Sequence, residues 1–136
     1  MDIFIGQTAE RATTLTPEKV DSYAELTGDR NPVHFENSFI KGTKLKRLIV
    51  QGGLTTGLLH ALVANDLPGP GTVFLNQEWQ FSAPVYIGDT ITATATVVEK
   101  HPVKPVVRLE MTIKNQDGVT VLKGHAWCYI FSPKDN

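Results

Sequence analysis

The run Gly28-Asp29-Arg30-Asn31-Pro32-Val33-His34 sets a carboxylate and an imidazole five residues apart. Pro32 has a fixed φ and disfavours helix at the residue before it. Asp29 and His34 are therefore expected on a rigid loop, where they can converge on one small molecule. An aspartate and a histidine that share a water can take and return its protons, which is general acid–base chemistry. A plainer reading stands beside this one: such a run leaves a helix and turns, with Asp29 bonding nearby amides. The pair Gly52-Gly53 opens an apolar segment. The first N–H groups of a helix lack partners and favour negative charge, and glycine lets a ligand approach the backbone closely. The stretch Gly52 to Gly57 lacks the lysine of a phosphate-binding loop and does not match a dinucleotide fingerprint.

These groups need elements to hold them. Thr16-Pro17-Glu18 has the form of a helix start, with a threonine cap, a proline in the first turn and an acid after it. Val20, Tyr23, Ala24 and Thr27 follow at helical spacing, and Gly28 falls where a C-terminal cap belongs. The Asp29–His34 loop thus leaves directly from a helix end. Glu36 to Leu48 reads as irregular and polar. A second helix is expected from about Gly53 to Asp66. Its leucines cover much of its circumference, as in helices buried on most sides. Gly57 inside it costs ~1 kcal/mol relative to alanine, which close approach of another backbone would explain.

Everything after Gly71 reads as strand. Thr72 to Phe81 is closed by Ala83-Pro84, and Thr90 to Val97 and Val107 to Lys114 alternate apolar and polar residues. Asn115-Gln116-Asp117-Gly118 signals a hairpin, and the last strand runs from about Val119 to Phe131. An antiparallel sheet curled around the apolar helix, an α+β arrangement in a single domain over residues 1–136, is the simplest assembly. Ala93, Ala95, Gly124 and Ala126 would let the helix sit close. A sheet of this size leaves open edges, and pairing with a second copy would cover one; a homodimer is expected.

Composition excludes some partners. The formal net charge is −1, so no general affinity for polyanions follows, and nucleic acid is not expected. Cys128 is the only cysteine, which rules out an intramolecular disulfide and a cysteine-based zinc site. No apolar run approaches the ~20 residues needed to cross a bilayer. The start Met1-Asp2-Ile3-Phe4 lacks the form of a secretory signal. A cytoplasmic protein, or the mature form of an organellar one, is expected.

From about Gln7 to Phe131 the order of motifs resembles the MaoC-like hydratases: helix, G-D-x-N-P-x-H, V-x-G-x-L helix entry, P-G-x-G and G-D-x-I strand entry. These are hot-dog-fold (R)-specific enoyl-CoA hydratases and hydroxyacyl-thioester dehydratases. The resemblance implies reversible syn addition of water to a trans-2-enoyl thioester. It places the catalytic pair on Asp29 and His34, and the backbone donor to the thioester oxygen on Gly52. Asn31 is implied as a loop-shaping or water-orienting residue, and Gln51 and Gly53 as borders of the substrate site. Many relatives carry histidine where this chain has Gln51. His60, about two helical turns further on, falls where relatives line the acyl tunnel, and is expected to shorten or polarise it. An ordinary core histidine is the competing reading. No metal or redox cofactor is required; coenzyme A or a carrier pantetheine enters with the substrate.

The chemistry by itself asks for the same parts. Water addition at C3 needs a base at the water, a proton donor at C2, and stabilisation of charge on the thioester oxygen. Asp29 is favoured as the base, with His34 orienting the water, and the two can act as a coupled pair. Lys41, Lys44, Lys46 and Arg47 form the one basic cluster. Such runs are usually a solvated face, but Lys44 and Lys46 lie between the two site segments and could meet phosphates of the thioester carrier. Two other functions compete: a non-catalytic hot-dog module that binds acyl groups or scaffolds a partner, and a hot-dog thioesterase.

Overall fold

The Thr16 hydroxyl accepts the Lys19 N–H at 3.3 Å and starts α1 (Pro17–Thr27). The computed structural model describes residues 2–133. Gly28 ends α1 with φ 82°, and its N–H reaches the Ala24 carbonyl at 2.8 Å. That left-handed conformation is one glycine adopts at little cost. Asn31 then accepts from the Val33 N–H at 3.2 Å and caps a single tight turn over Pro32–His34. The following stretch is less irregular than its sequence implies. It contains the short helix α2 (Asn37–Ile40), which turns Ile40 into the interior. The main helix α3 (Gly52–Asn65) begins one residue earlier than its apolar pattern indicates.

Four strands follow the expected segments, β2 (Thr72–Phe81), β3 (Thr90–Lys100), β4 (Val106–Lys114) and β5 (Thr120–Ile130), and a fifth, β1 (Thr8–Thr14), precedes α1. They form one antiparallel sheet in the order β1-β3-β4-β5-β2. Alternation sets its inner face. Ile91, Ala93, Ala95 and Val97 of β3 are fully buried, as are Leu109 and Ile113 of β4 and Ala126 and Cys128 of β5. Against this face α3 lays Leu58, Leu59, Leu62 and Val63. Fully burying one such leucine stabilises the fold by ~1.5–3 kcal/mol. The sheet wrapped on one helix is the hot-dog architecture that the resemblance implies.

Three packing expectations need correction. Gly124 does not make room for the helix: a Cβ there would strike the Glu78 carbonyl oxygen and the Trp79 ring of the neighbouring strand β2. Gly57 is not approached by any backbone, since a Cβ there would meet nothing within 4 Å. Nor is α3 buried on most sides: Gly53, Gly57, His60 and Ala64 are exposed, because the sheet covers only one side of the helix.

Cys128 sits in this core as a free thiol, and burial pushes its pKa from the ordinary 9.0 up to about 12. The folded thiol therefore stays protonated over a range where the unfolded thiol ionises. This term leaves stability unchanged below about pH 9 and takes it away progressively between about 9 and about 12. At pH 8 a thiol reagent should label the native protein far more slowly than the urea-unfolded protein. Equal labelling rates would show the thiol to be accessible.

Candidate active site

Asp29 and His34 face each other. His34 Nε2 lies 3.8 Å from Asp29 Oδ1. His34 is buried, while the Asp29 side chain keeps 41% of its surface exposed, so the pair sits at the wall of an opening. The separation is too long for a direct hydrogen bond. It suits two groups that each touch one small molecule between them.

The tautomer of His34 follows from its other nitrogen. Nδ1 is 2.8 Å from the Ile49 carbonyl oxygen, which can only accept, so Nδ1 carries the hydrogen. In the neutral ring Nε2 is then an acceptor aimed toward Asp29. The loop is tied again by the Ile49 N–H, which donates to the Val33 carbonyl at 3.1 Å. Ile49 is itself bridged to Tyr86, and the Val50 N–H donates to the Val85 carbonyl at 2.7 Å. Behind these contacts stands Asp89, almost wholly buried. It accepts from the Tyr86 N–H, from Gln116 Nε2 (both 2.9 Å) and from Arg47 at 3.4 Å. The G-D-x-I strand entry thus helps to hold the histidine through the Ile49 segment.

The start of α3 completes the arrangement. The Gln51 carbonyl accepts from the Leu54 and Thr55 N–H groups, and among the described residues the Gly52 N–H has no acceptor. A Cβ at Gly52 would come within 3.3 Å of the Phe81 ring, so glycine lets Phe81 close over the helix end. Asp29, Asn31, His34, Gly52 and Thr55 line one open cavity of about 590 Å³. Its remaining walls come from Val33, Ile49 and Val50 and from residues 81–85 at the end of β2 and just beyond it. An imidazole acceptor, a carboxylate and a free helix N–H therefore open onto one space walled largely by apolar groups.

The other sequence candidates lie outside this cavity. Gln51 is fully buried, and its amide N–H donates to the Val20 carbonyl at 3.0 Å, tying α3 to α1. Its Oε1 has no partner among the described residues. A glutamine here braces α3 against α1 and presents no face to a ligand. Gly53 turns the opposite way, toward the Tyr23 hydroxyl, which a Cβ there would displace. His60 is exposed and leans on Phe74 with its ring tilted by 58° and 4.5 Å between ring centroids, and it does not line the cavity. Lys44 and Lys46 are exposed with no ion-pair partner among the described residues, whereas Arg47 pairs with Asp89 and stacks on Tyr86. Among the described residues no cluster of three or more metal-ligating side chains occurs.

Sequence reasoning missed the wall formed after β2. Ala83-Pro84 reads as a strand stop, yet that stop turns residues 81–85 against the catalytic loop. Thr55 also lines the cavity; its i, i+3 relation to Gly52 is the signal that places the two on one helix face.

The fold and this pair define a class. The model of the MaoC like domain family matches residues 5–119, and this chain belongs to that family. It is 38% identical over 125 residues to the (R)-specific enoyl-CoA hydratase of Rhodospirillum rubrum, covering 92% of this chain and 86% of that protein. It is also 38% identical over 125 residues to the 3-hydroxybutyryl-CoA dehydratase of Methylorubrum extorquens, covering 92% and 79%. The solved (R)-hydratase from A. caviae superposes with a TM-score of 0.90 at 32% identity, covering 95% of this chain and 98% of that one.

Proposed function

We propose that this chain catalyses reversible hydration of trans-2-enoyl thioesters to (R)-3-hydroxyacyl thioesters. The observation that carries this reading is the facing of Asp29 Oδ1 and His34 Nε2 in one cavity with the free Gly52 N–H. The names of the relatives, hydratase in one case and dehydratase in the other, fit the two directions of one reaction.

The chemistry follows from these groups. One water donates an O–H to Asp29 and the other to His34 Nε2, which leaves its oxygen lone pairs free to attack C3. As the C3–O bond forms, one O–H bond breaks and its proton passes to the pair, with Asp29 the main base. The C2–C3 π electrons move toward the thioester oxygen, where the Gly52 N–H and the helix dipole stabilise the charge. C2 then takes a proton from the same pair. The substrate has gained one hydroxyl and one hydrogen on the same face. Reversal of these steps is dehydration.

The carrier and the assembly belong to the same proposal. The exposed Lys44 and Lys46 meet phosphates of coenzyme A or of a carrier-protein arm. The chain works as a homodimer paired through β2, whose outer edge has no strand partner among the described residues and which exposes Val73 and Leu75. A native mass of about twice the 15.0 kDa chain by light scattering supports pairing, and a mass near 15.0 kDa overturns it.

Crotonyl-CoA tests the activity directly. Hydration consumes the enoyl absorbance and releases no thiol. Thiol release would identify a thioesterase, and neither change, across a series of acyl lengths, would leave a binding module.

A further inference from the structure

We infer that the Thr55 hydroxyl is a second donor to the thioester oxygen beside the Gly52 N–H. This inference rests on the hydratase reading and adds a specificity for the charge that develops during it.

Thr55 is 2% exposed, and it lines the cavity together with Gly52, Asp29 and His34. It stands three residues after Gly52 in α3, on the same face of the first turn. Helical side chains lean toward the N-terminus, so the Thr55 side chain leans over that turn toward the free N–H of Gly52. A buried threonine in a helix commonly gives its hydroxyl to the carbonyl four residues back. Here that carbonyl belongs to Gln51, which already accepts the Leu54 N–H at 3.1 Å and the Thr55 N–H at 3.2 Å. Two donors occupy its lone pairs. Among the described residues the Thr55 hydroxyl makes no hydrogen bond, although Thr27, Thr43 and Thr56 each give theirs to a nearby carbonyl. A polar group held in a nearly closed position without a protein partner suits a ligand atom.

The two donors differ in character. The Gly52 N–H is fixed by the backbone, while a hydroxyl rotates to follow its acceptor. As negative charge builds on the thioester oxygen, the hydroxyl bond strengthens more than it does toward the neutral carbonyl. An interaction that strengthens in the transition state raises kcat rather than only lowering KM.

Thr55→Val keeps the shape and removes the donor. It should lower kcat for crotonyl-CoA hydration by roughly 10²-fold, with KM changed by no more than about threefold. Thr55→Ser should recover most of that loss. A second readout needs no turnover. Asp29→Asn protein should still bind 2,4-hexadienoyl-CoA, whose absorbance moves to longer wavelength when its carbonyl is polarised. Adding Thr55→Val to that variant should reduce the shift while the probe stays bound. An unchanged shift, or a Thr55→Val kcat within about threefold of the parent, overturns the role of Thr55 and leaves the hydratase reading intact. An unmodified protein that binds and hydrates no enoyl thioester overturns both.

Discussion

Asp29→Asn should lower kcat for enoyl-thioester hydration by roughly 10²- to 10⁴-fold, the range for loss of a positioned acid–base group. The substitution is close to isosteric, so the loop keeps its shape. Asparagine can still accept an O–H from water through its oxygen but cannot take the proton as the C3–O bond forms. Folding stability should hardly change. The Asp29 side chain is 41% exposed, and its contact with the Asn31 N–H is long at 3.4 Å. A loss of kcat without a loss of stability separates proton transfer from the plainer role of Asp29 as a turn-bonding residue. The reverse pattern, full activity with a lowered Tm, would return Asp29 to that role. His34→Ala makes a useful comparison, although it is not structurally silent. It removes the bond to the Ile49 carbonyl as well as the acceptor Nε2, so part of its effect would come from a loosened loop.

Gly124→Ala should destabilise the fold by roughly 3 kcal/mol and lower Tm by about 10 °C. The added methyl would occupy the position of the Glu78 carbonyl oxygen and press on the Trp79 ring. Neither neighbour yields cheaply. Glu78 pairs with His125 and Trp79 with Gly124 in the β2–β5 ladder. The Trp79 indole N–H donates to Gln77 Oε1 at 2.9 Å, and its ring meets Phe74 edge-on. The same substitution at Gly57 should have the opposite sign. That residue lies inside α3 with nothing within 4 Å of a new Cβ, and alanine there gains about 1 kcal/mol of helix propensity. Denaturant melts of the two variants read the contrast. A Gly124→Ala protein as stable as the parent would show that β2 and β5 do not pack as closely as described.

Pattern and punctuation made much of the fold legible. The Thr16-Pro17 start and the Gly28 stop bracket a helix because their backbone preferences are local. Strict alternation in Thr90 to Val97 assigns one face to the core because strand side chains repeat every second residue. The resemblance carried the pairing of Asp29 with His34, and the short loop between them left little freedom for any other arrangement. Purely local signals served less well where packing decided. Gly53, Gly57 and Gly124 look alike in sequence. One gives way to the Tyr23 hydroxyl, one faces open space, and one is pressed by a neighbouring strand. Gln51 seemed a border of the substrate site, yet its amide is spent on the Val20 carbonyl, 31 residues earlier.

The residue types and their spacing along the chain by themselves determined which side chains could handle protons, where the helices begin, and which strand faces are apolar, because each of these depends on a few neighbouring residues. Only the tertiary structure decided that the Ile49 carbonyl sets the tautomer of His34, that residues 81–85 wall the cavity, and that Thr55 keeps a free hydroxyl. Those facts depend on groups distant in sequence that meet only when the sheet closes on α3, and no local preference encodes such meetings.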